Sequence, residues 1–199
     1  SRYKAELLNY PLPAGTPVYG ALSSYKRKIT GLRLGDGVYI DITSMAPGYK
    51  VQISVFPAGS VTTDVTKDRS FLMPGMDVEV LVEFVDNGLD RYDISLAVTT
   101  ATTPPPPSTV DPANTASLTT PLTATQGPIY TGQPSVHAQA QAGDQVVIDL
   151  SYDQTKYKAV ATASGAITGS LPLSPDKTQV TFTAVNGNVD VVVTYYDKD

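Results

Sequence analysis

The sequence predicts an all-β chain of two β-sandwich domains joined by a Pro/Thr-rich linker. Three observations lead to that reading. Composition is the first: 199 residues with 15 Gly, 16 Pro, 24 Thr and 22 Val favour short strands and frequent turns over helices. The second is alternation. Apolar and polar residues alternate in several short runs, the period of a half-buried strand, and turn signals separate the runs at roughly the 8–12-residue spacing of sandwiches. The third is that the two halves of the chain repeat each other, the mark of tandem units.

Residues 1–33 carry six basic side chains, Arg2, Lys4, Lys26, Arg27, Lys28 and Arg33, against one acid, Glu6. A short helical turn is expected near 3–8. The segment reads as a basic docking arm with the first strand. Leu7, Leu8, Tyr10, Leu12, Val18 and Tyr19 supply its apolar contacts. Together with Arg2, Lys4, Lys26, Arg27 and Lys28 they form the expected partner-docking set. Domain one follows over 34–98. Val38, Ile40 and Ile42 alternate with Tyr39 and Asp41, residues 49–55 read as a middle strand, and Val78, Val80, Val82 and Phe84 turn away from Glu79 and Glu83. Ala46-Pro47-Gly48, Pro57-Ala58-Gly59 and Met73-Pro74-Gly75 are turns. Asn87-Gly88 signals a tight turn into one more strand over 91–98.

Residues 99–127 read as the linker. Its run Pro104, Pro105, Pro106 and Pro107 favours polyproline II and holds its ends about 12 Å apart. Domain two takes 128–199. Gly143-Asp144-Gln145-Val146-Val147-Ile148-Asp149-Leu150 repeats Gly35-Asp36-Gly37-Val38-Tyr39-Ile40-Asp41-Ile42, and Tyr157-Lys158 repeats Tyr49-Lys50 in the same register. Phe182 answers Phe71, and Asn188-Val189-Asp190-Val191 answers Asp77-Val78-Glu79-Val80. Domain one then carries an added strand and an arm that domain two lacks. On this reading domain one is anchored and domain two presented.

These residues resemble the bacterial Ig-like repeat β-domains, found in tandem in bacterial surface proteins and bacteriophage structural proteins. Phe71-Leu72-Met73-Pro74-Gly75-Met76-Asp77-Val78 is the strongest match. Ala184-Val185-Asn186-Gly187 departs from it, so that turn is built differently. The resemblance covers about 110 residues. It implies Ig-like sandwiches serving as spacer or adhesive modules, and it carries over no catalytic residue.

The chemistry-bearing residues are few. His137 is the one histidine and there is no cysteine, which excludes thiolate metal sites, disulfides and any Ser–His–Asp set not built on His137. Alternation places His137 on a polar strand face with Gln139 and Gln141. Glu83, Asp86, Asp90 and Asp93 are the densest acidic run, yet their spacing fits no calcium loop. Asp41, Asp149 and Asp153 fall on outward strand faces, so no acid–base pair is expected. The twelve tyrosines, among them Tyr39, Tyr49, Tyr152, Tyr157, Tyr195 and Tyr196, admit weak glycan contact by domain two. Tyr195 reads as core and Tyr196 as exposed.

A net charge of −5 and a pI near 4.7 argue against a nucleic-acid binder. No run reaches the roughly 18 apolar residues of a membrane span. No cofactor, metal or catalytic residue is expected. The initial Ser reads either as the residue left by Met removal, without export, or as the first residue after a cleaved signal, and no signal-peptide pattern stands in the sequence itself. The functional expectation is a non-enzymatic virion protein, a bacteriophage capsid decoration or head-fibre protein docked on a protein lattice or on like copies. The alternative is a secreted bacterial surface protein or filament subunit with adhesive modules.

Overall fold

The computed structural model describes residues 1–8, 21–22, 26–42, 45–101 and 110–198. The chain divides into two units, Ser1–Gly88 and Leu89–Asp199. Each is almost wholly β and closes two sheets around its own apolar core, so the expected all-β sandwich class is what is found.

Domain one contains β1 (Tyr3–Leu7), β2 (Ala21–Leu22), β3 (Lys28–Leu32), β4 (Gly37–Ile40), β5 (Tyr49–Phe56), a single helical turn α1 (Val65–Asp68), β6 (Ser70–Leu72) and β7 (Val78–Asp86). One sheet has the order β3-β1-β7-β5 and the other β2-β4-β6. Strand alternation sends Ala5 and Leu7, Val38 and Ile40, Val51 and Ile53, and Val78, Val80 and Val82 into one shared core with Leu22, Phe71 and Met73. The helical turn expected near 3–8 is instead β1. Ala5 and Leu7 are buried at period two, and β3 and β7 pair with β1 on both sides.

Domain two contains β8 (Tyr92–Thr100), β9 (Thr115–Thr120), β10 (Thr123–Ile129), β11 (Val136–Ala140), β12 (Gln145–Ser151), β13 (Tyr157–Gly165), β14 (Gly169–Leu171), β15 (Gln179–Thr183) and β16 (Val189–Asp197). Its sheets have the orders β11-β8-β16-β13-β14 and β10-β9-β12-β15. Ile94, Leu96, Leu118, Val146, Ile148, Val189, Val191, Val193 and Tyr195 fill the core between them.

The repeat begins earlier than the sequence shows. In domain one β1 lies parallel to β7, with Ala5 opposite Val78 and Leu7 opposite Val80. In domain two β8 lies parallel to β16, with Ile94 opposite Val189 and Leu96 opposite Val191. The amide of Lys4 donates to Asp77 Oδ1 at 2.9 Å, and the amide of Asp93 donates to Asn188 Oδ1 at 2.8 Å. The Gly-Asp turns match as well. Asp36 Oδ2 accepts from the Arg33 amide at 2.8 Å and Asp144 Oδ2 from the Gln141 amide at 2.9 Å. Arg2-Tyr3-Lys4-Ala5-Glu6-Leu7 therefore answers Arg91-Tyr92-Asp93-Ile94-Ser95-Leu96.

This equivalence corrects three expectations. Residues 1–33 are no arm ahead of domain one; where described, they form its β1, β2 and β3. The strand after Asn87-Gly88 is not an addition to domain one. It sits between β11 and β16, so the domains join between Gly88 and Leu89 and neither carries an extra first strand. The stretch 99–127 is not an interdomain linker, because it holds the end of β8, all of β9 and most of β10, and domain two starts at Leu89 rather than at 128. The four prolines lie outside the described residues, but β8 and β9 on either side belong to one domain.

Candidate functional site

A cleft of about 500 Å³ opens at one end of domain two, lined by side chains from three chain segments. The first is the turn between β12 and β13. Asp153 Oδ1 accepts from the amide and the hydroxyl of Thr155 at 2.9 and 2.6 Å. That side-chain bond and then the backbone bond hold the Asp153 carboxyl below its usual range. The turn delivers Tyr157, Lys158 and Ala159 to the cleft.

The second segment is the loop between β14 and β15. Asp176 Oδ1 accepts from Ser174 Oγ at 2.6 Å, Thr178 Oγ1 at 2.8 Å and the Thr178 amide at 3.2 Å. These hydrogen bonds, led by that of Ser174, lower the Asp176 carboxyl. The loop is further closed by the Ser174 amide donating to Gln179 O at 2.8 Å and the Gln179 amide donating to Ser174 Oγ at 3.0 Å. Lys177 at its tip has φ +61°. A left-handed backbone costs a non-glycine residue about 1–2 kcal/mol, and such residues cluster at functional sites. The two segments are stitched together. Tyr152 donates through its hydroxyl to Lys177 O at 2.9 Å, and Gln154 Nε2 donates to Asp176 O at 2.9 Å.

Lys198, just past β16, is the third segment. Its ammonium donates to Gln154 O at 3.1 Å. Pairing of β13 with β16 puts Lys158 opposite Tyr196, and the Lys158 ammonium lies 5.6 Å from that ring's centroid. Tyr157 donates to Asp111 Oδ2 at 3.0 Å, and this bond is the main cause of its raised pKa. Tyr195 lies in the core, its ring 5.2 Å from that of Tyr152, and its hydroxyl donates to Thr115 O. Burial pushes its pKa far up. The cleft is thus a stiff frame with Lys158, Lys177 and Lys198 on its lining.

Other groupings offer less. His137 and Asp93 meet on an exposed sheet face, Nδ1 to Oδ2 at 3.0 Å, and Ser95 is the residue opposite His137. The Ser95 hydroxyl donates to Asp190 Oδ1 at 2.5 Å. No histidine therefore takes the serine proton in the way a nucleophilic triad needs. The acidic run is divided, with Glu83 and Asp86 in one unit and Asp90 and Asp93 in the other. Asp149 is occupied by Gln179 Nε2 at 2.8 Å. Among the described residues no three His, Cys, Asp or Glu side chains gather in a way that would hold a metal. In domain one a second hollow holds Lys4, Glu6, Phe56 and Asp77, where Lys4 and Glu6 pair at 3.8 Å.

The expected docking residues scatter. Leu7 is 2% exposed and belongs to the core of its own domain, so it is corrected from docking to packing. Arg2 is exposed and donates from Nη1 to Gly31 O at 2.9 Å. Leu8 is 47% exposed, and Lys26, Arg27 and Lys28 are exposed. Tyr10, Leu12, Val18 and Tyr19 lie outside the described residues. Of the tyrosines weighed for glycan contact, Tyr152 and Tyr157 reach the cleft, Tyr196 flanks Lys158, and Tyr39 and Tyr49 are exposed on domain one. Lys177 and Lys198 do not stand out in the sequence, and Lys158 does so only as part of the repeat. The legible signal was that residues 99–199 hold only four basic groups, at 156, 158, 177 and 198.

No family model matches the chain, and no curated protein does. Among solved structures, the major pilin of Streptococcus pyogenes is similar at 10% identity and a TM-score of 0.35, covering 98% of this chain and 96% of that one. A point mutant of the same pilin matches with the same values. At this level the likeness carries neither function nor partner to the present chain.

Proposed function

We propose that the chain is a non-enzymatic structural module of an extracellular surface or filament assembly, two load-bearing sandwiches joined in series. The observation that carries this reading is the parallel pairing of first and last strand in both domains. Because β7 runs parallel to β1, the chain enters domain one at the end where both strands start and leaves at the opposite end. Domain two does the same with β8 and β16. A pull on the two ends of either domain slides these strands along each other and loads the whole ladder together. Single hydrogen bonds contribute only about 1 kcal/mol each, but here they cannot break in succession. An antiparallel pair pulled at one end opens bond by bond.

The resemblance to tandem Ig-like repeats belongs to the same proposal, as does self-association into a lattice of like copies. The virion-decoration reading drew on a basic arm ahead of domain one, and that segment contributes strands to the domain itself. Stretching single molecules through their termini tests the load-bearing claim. Two separate unfolding events are expected, each releasing about 3.3–3.6 Å per residue freed, at forces well above those needed when a domain is pulled through the neighbouring ends of β5 and β7. Equal forces in the two directions would refute it.

A further inference from the structure

We propose that the cleft of domain two binds an acidic saccharide, a sugar chain bearing carboxylate or sulfate groups. The site goes beyond the load-bearing role and does not depend on it. Charge placement is the first ground. Residues 99–199 contain eight acids and four basic groups, yet three of those four, Lys158, Lys177 and Lys198, line this one cleft. The fourth, Lys156, accepts through its backbone carbonyl from the Lys198 amide at 2.8 Å and so lies beside it.

The second ground is what the lining groups have left to offer. Asp111, Asp153 and Asp176 accept hydrogen bonds from Tyr157 and from their own turns. The Tyr152 hydroxyl, the Gln154 amide and the Lys198 ammonium are given to backbone carbonyls. Lys158 and Lys177 enter no ion pair among the described residues. Asp197, opposite Tyr157 across β13 and β16, adds an opposing charge. The donors open to a ligand are therefore ammoniums, and they meet an anion beside the ionised carboxylates of Asp111, Asp153, Asp176 and Asp197, whose charges act on Tyr152 and Tyr157. Lys177 is the third ground. Glycine would occupy φ +61° with less strain, so what lysine brings to that position is its side chain.

Size decides between a lone anion and a sugar. About 500 Å³ lies in the range of small-molecule sites and far exceeds one phosphate. Tyr157, Ala159, Leu173 and Pro175 give a ring's apolar face something to lie against, while Lys158 and Lys177 meet its acidic substituent.

Calorimetry on the full chain tests the site with four probes: an oligogalacturonate, a sulfated oligosaccharide, neutral maltohexaose and inorganic phosphate. Saturable binding of a charged oligosaccharide is expected, at least tenfold tighter than either maltohexaose or phosphate. It should weaken as salt rises, since exposed charges are screened beyond about 8 Å at physiological ionic strength. Lys158→Gln with Lys177→Gln should lower the affinity at least tenfold. Lys177→Gly alone should raise the thermal midpoint while binding falls, a combination that misfolding cannot produce. The proposal is overturned if neither charged oligosaccharide binds, if maltohexaose or phosphate binds as tightly, or if the lysine variants bind unchanged.

Discussion

Tyr195 shows how one side chain can join an apolar core to the backbone around it. It is 1% exposed and donates its hydroxyl to Thr115 O, tying β16 to the strand that opens the opposite sheet. Tyr195→Phe keeps the ring and strands that carbonyl, at a cost of about 1–3 kcal/mol, read from denaturant midpoints. The hydroxyl also makes stability depend on pH. Burial raises its folded pKa above the ordinary value of 10.0, while the unfolded chain ionises near that value. Above it the unfolded state binds fewer protons than the folded one, so stability falls as pH rises. Melting followed from pH 8 to 11 should show a steeper alkaline loss in the parent chain than in Tyr195→Phe. Equal slopes would place the alkaline effect elsewhere.

At the scale of elements the two domains differ most at one sheet edge. In domain two β14 covers β13, pairing Leu171 with Ala161. Among the described residues of domain one no such strand lies beside β5, whose Ile53 stands where Ala161 stands. The α1 turn takes over the task. Thr66 Oγ1 accepts from the Ile53 amide at 2.9 Å and donates to its carbonyl at 3.3 Å. An open edge invites another chain to add a strand, and one hydroxyl here answers both edge groups. Thr66→Val removes two hydrogen bonds, so a loss of about 1–3 kcal/mol is expected, with concentration-dependent association seen by light scattering. A variant that stays as stable and as monomeric as the parent would show that the hydroxyl does not guard the edge.

Elements also show where the sequence was legible. β4, β5, β7, β12 and β16 stand out because valine and isoleucine alternate with polar residues in them, and β13 stands out only because Tyr157-Lys158 repeats Tyr49-Lys50. β1 was hidden because Leu8 follows Leu7 and blurs a period carried by Ala5 and Leu7 alone. β9 was hidden because only Ala116 and Leu118 are apolar among threonines and serine, directly after a stretch that reads as spacer. The composition of 99–127 is that of a linker, but the pairing of β9 with β12 and β10, and of the end of β8 with β16, absorbs much of it into sheets. Of the cleft, the sequence shows only the scarcity of basic groups in 99–199 and the tyrosines Tyr152 and Tyr157. Lys158, Lys177 and Lys198 meet through the pairing of β13 with β16 and the bonds that close the loop after β14, and no spacing along the chain records either.

For the whole molecule, the claim on which the rest depends is that the chain is two equivalent sandwiches, each starting from a strand that runs parallel to its last one. The division at Gly88 and Leu89 follows from it, and so does the reading of the molecule as load-bearing units in series. The most direct test compares amide NMR spectra of three fragments, 1–88, 89–199 and 128–199, with that of the full chain. The first two should give dispersed spectra whose core peaks overlay the parent. The third lacks β8, all of β9 and most of β10. That leaves Val189, Val191 and Val193 without the strand that covers them, so its spectrum should collapse to that of an unfolded chain. A folded 128–199 fragment beside an unfolded 89–199 fragment would contradict the account.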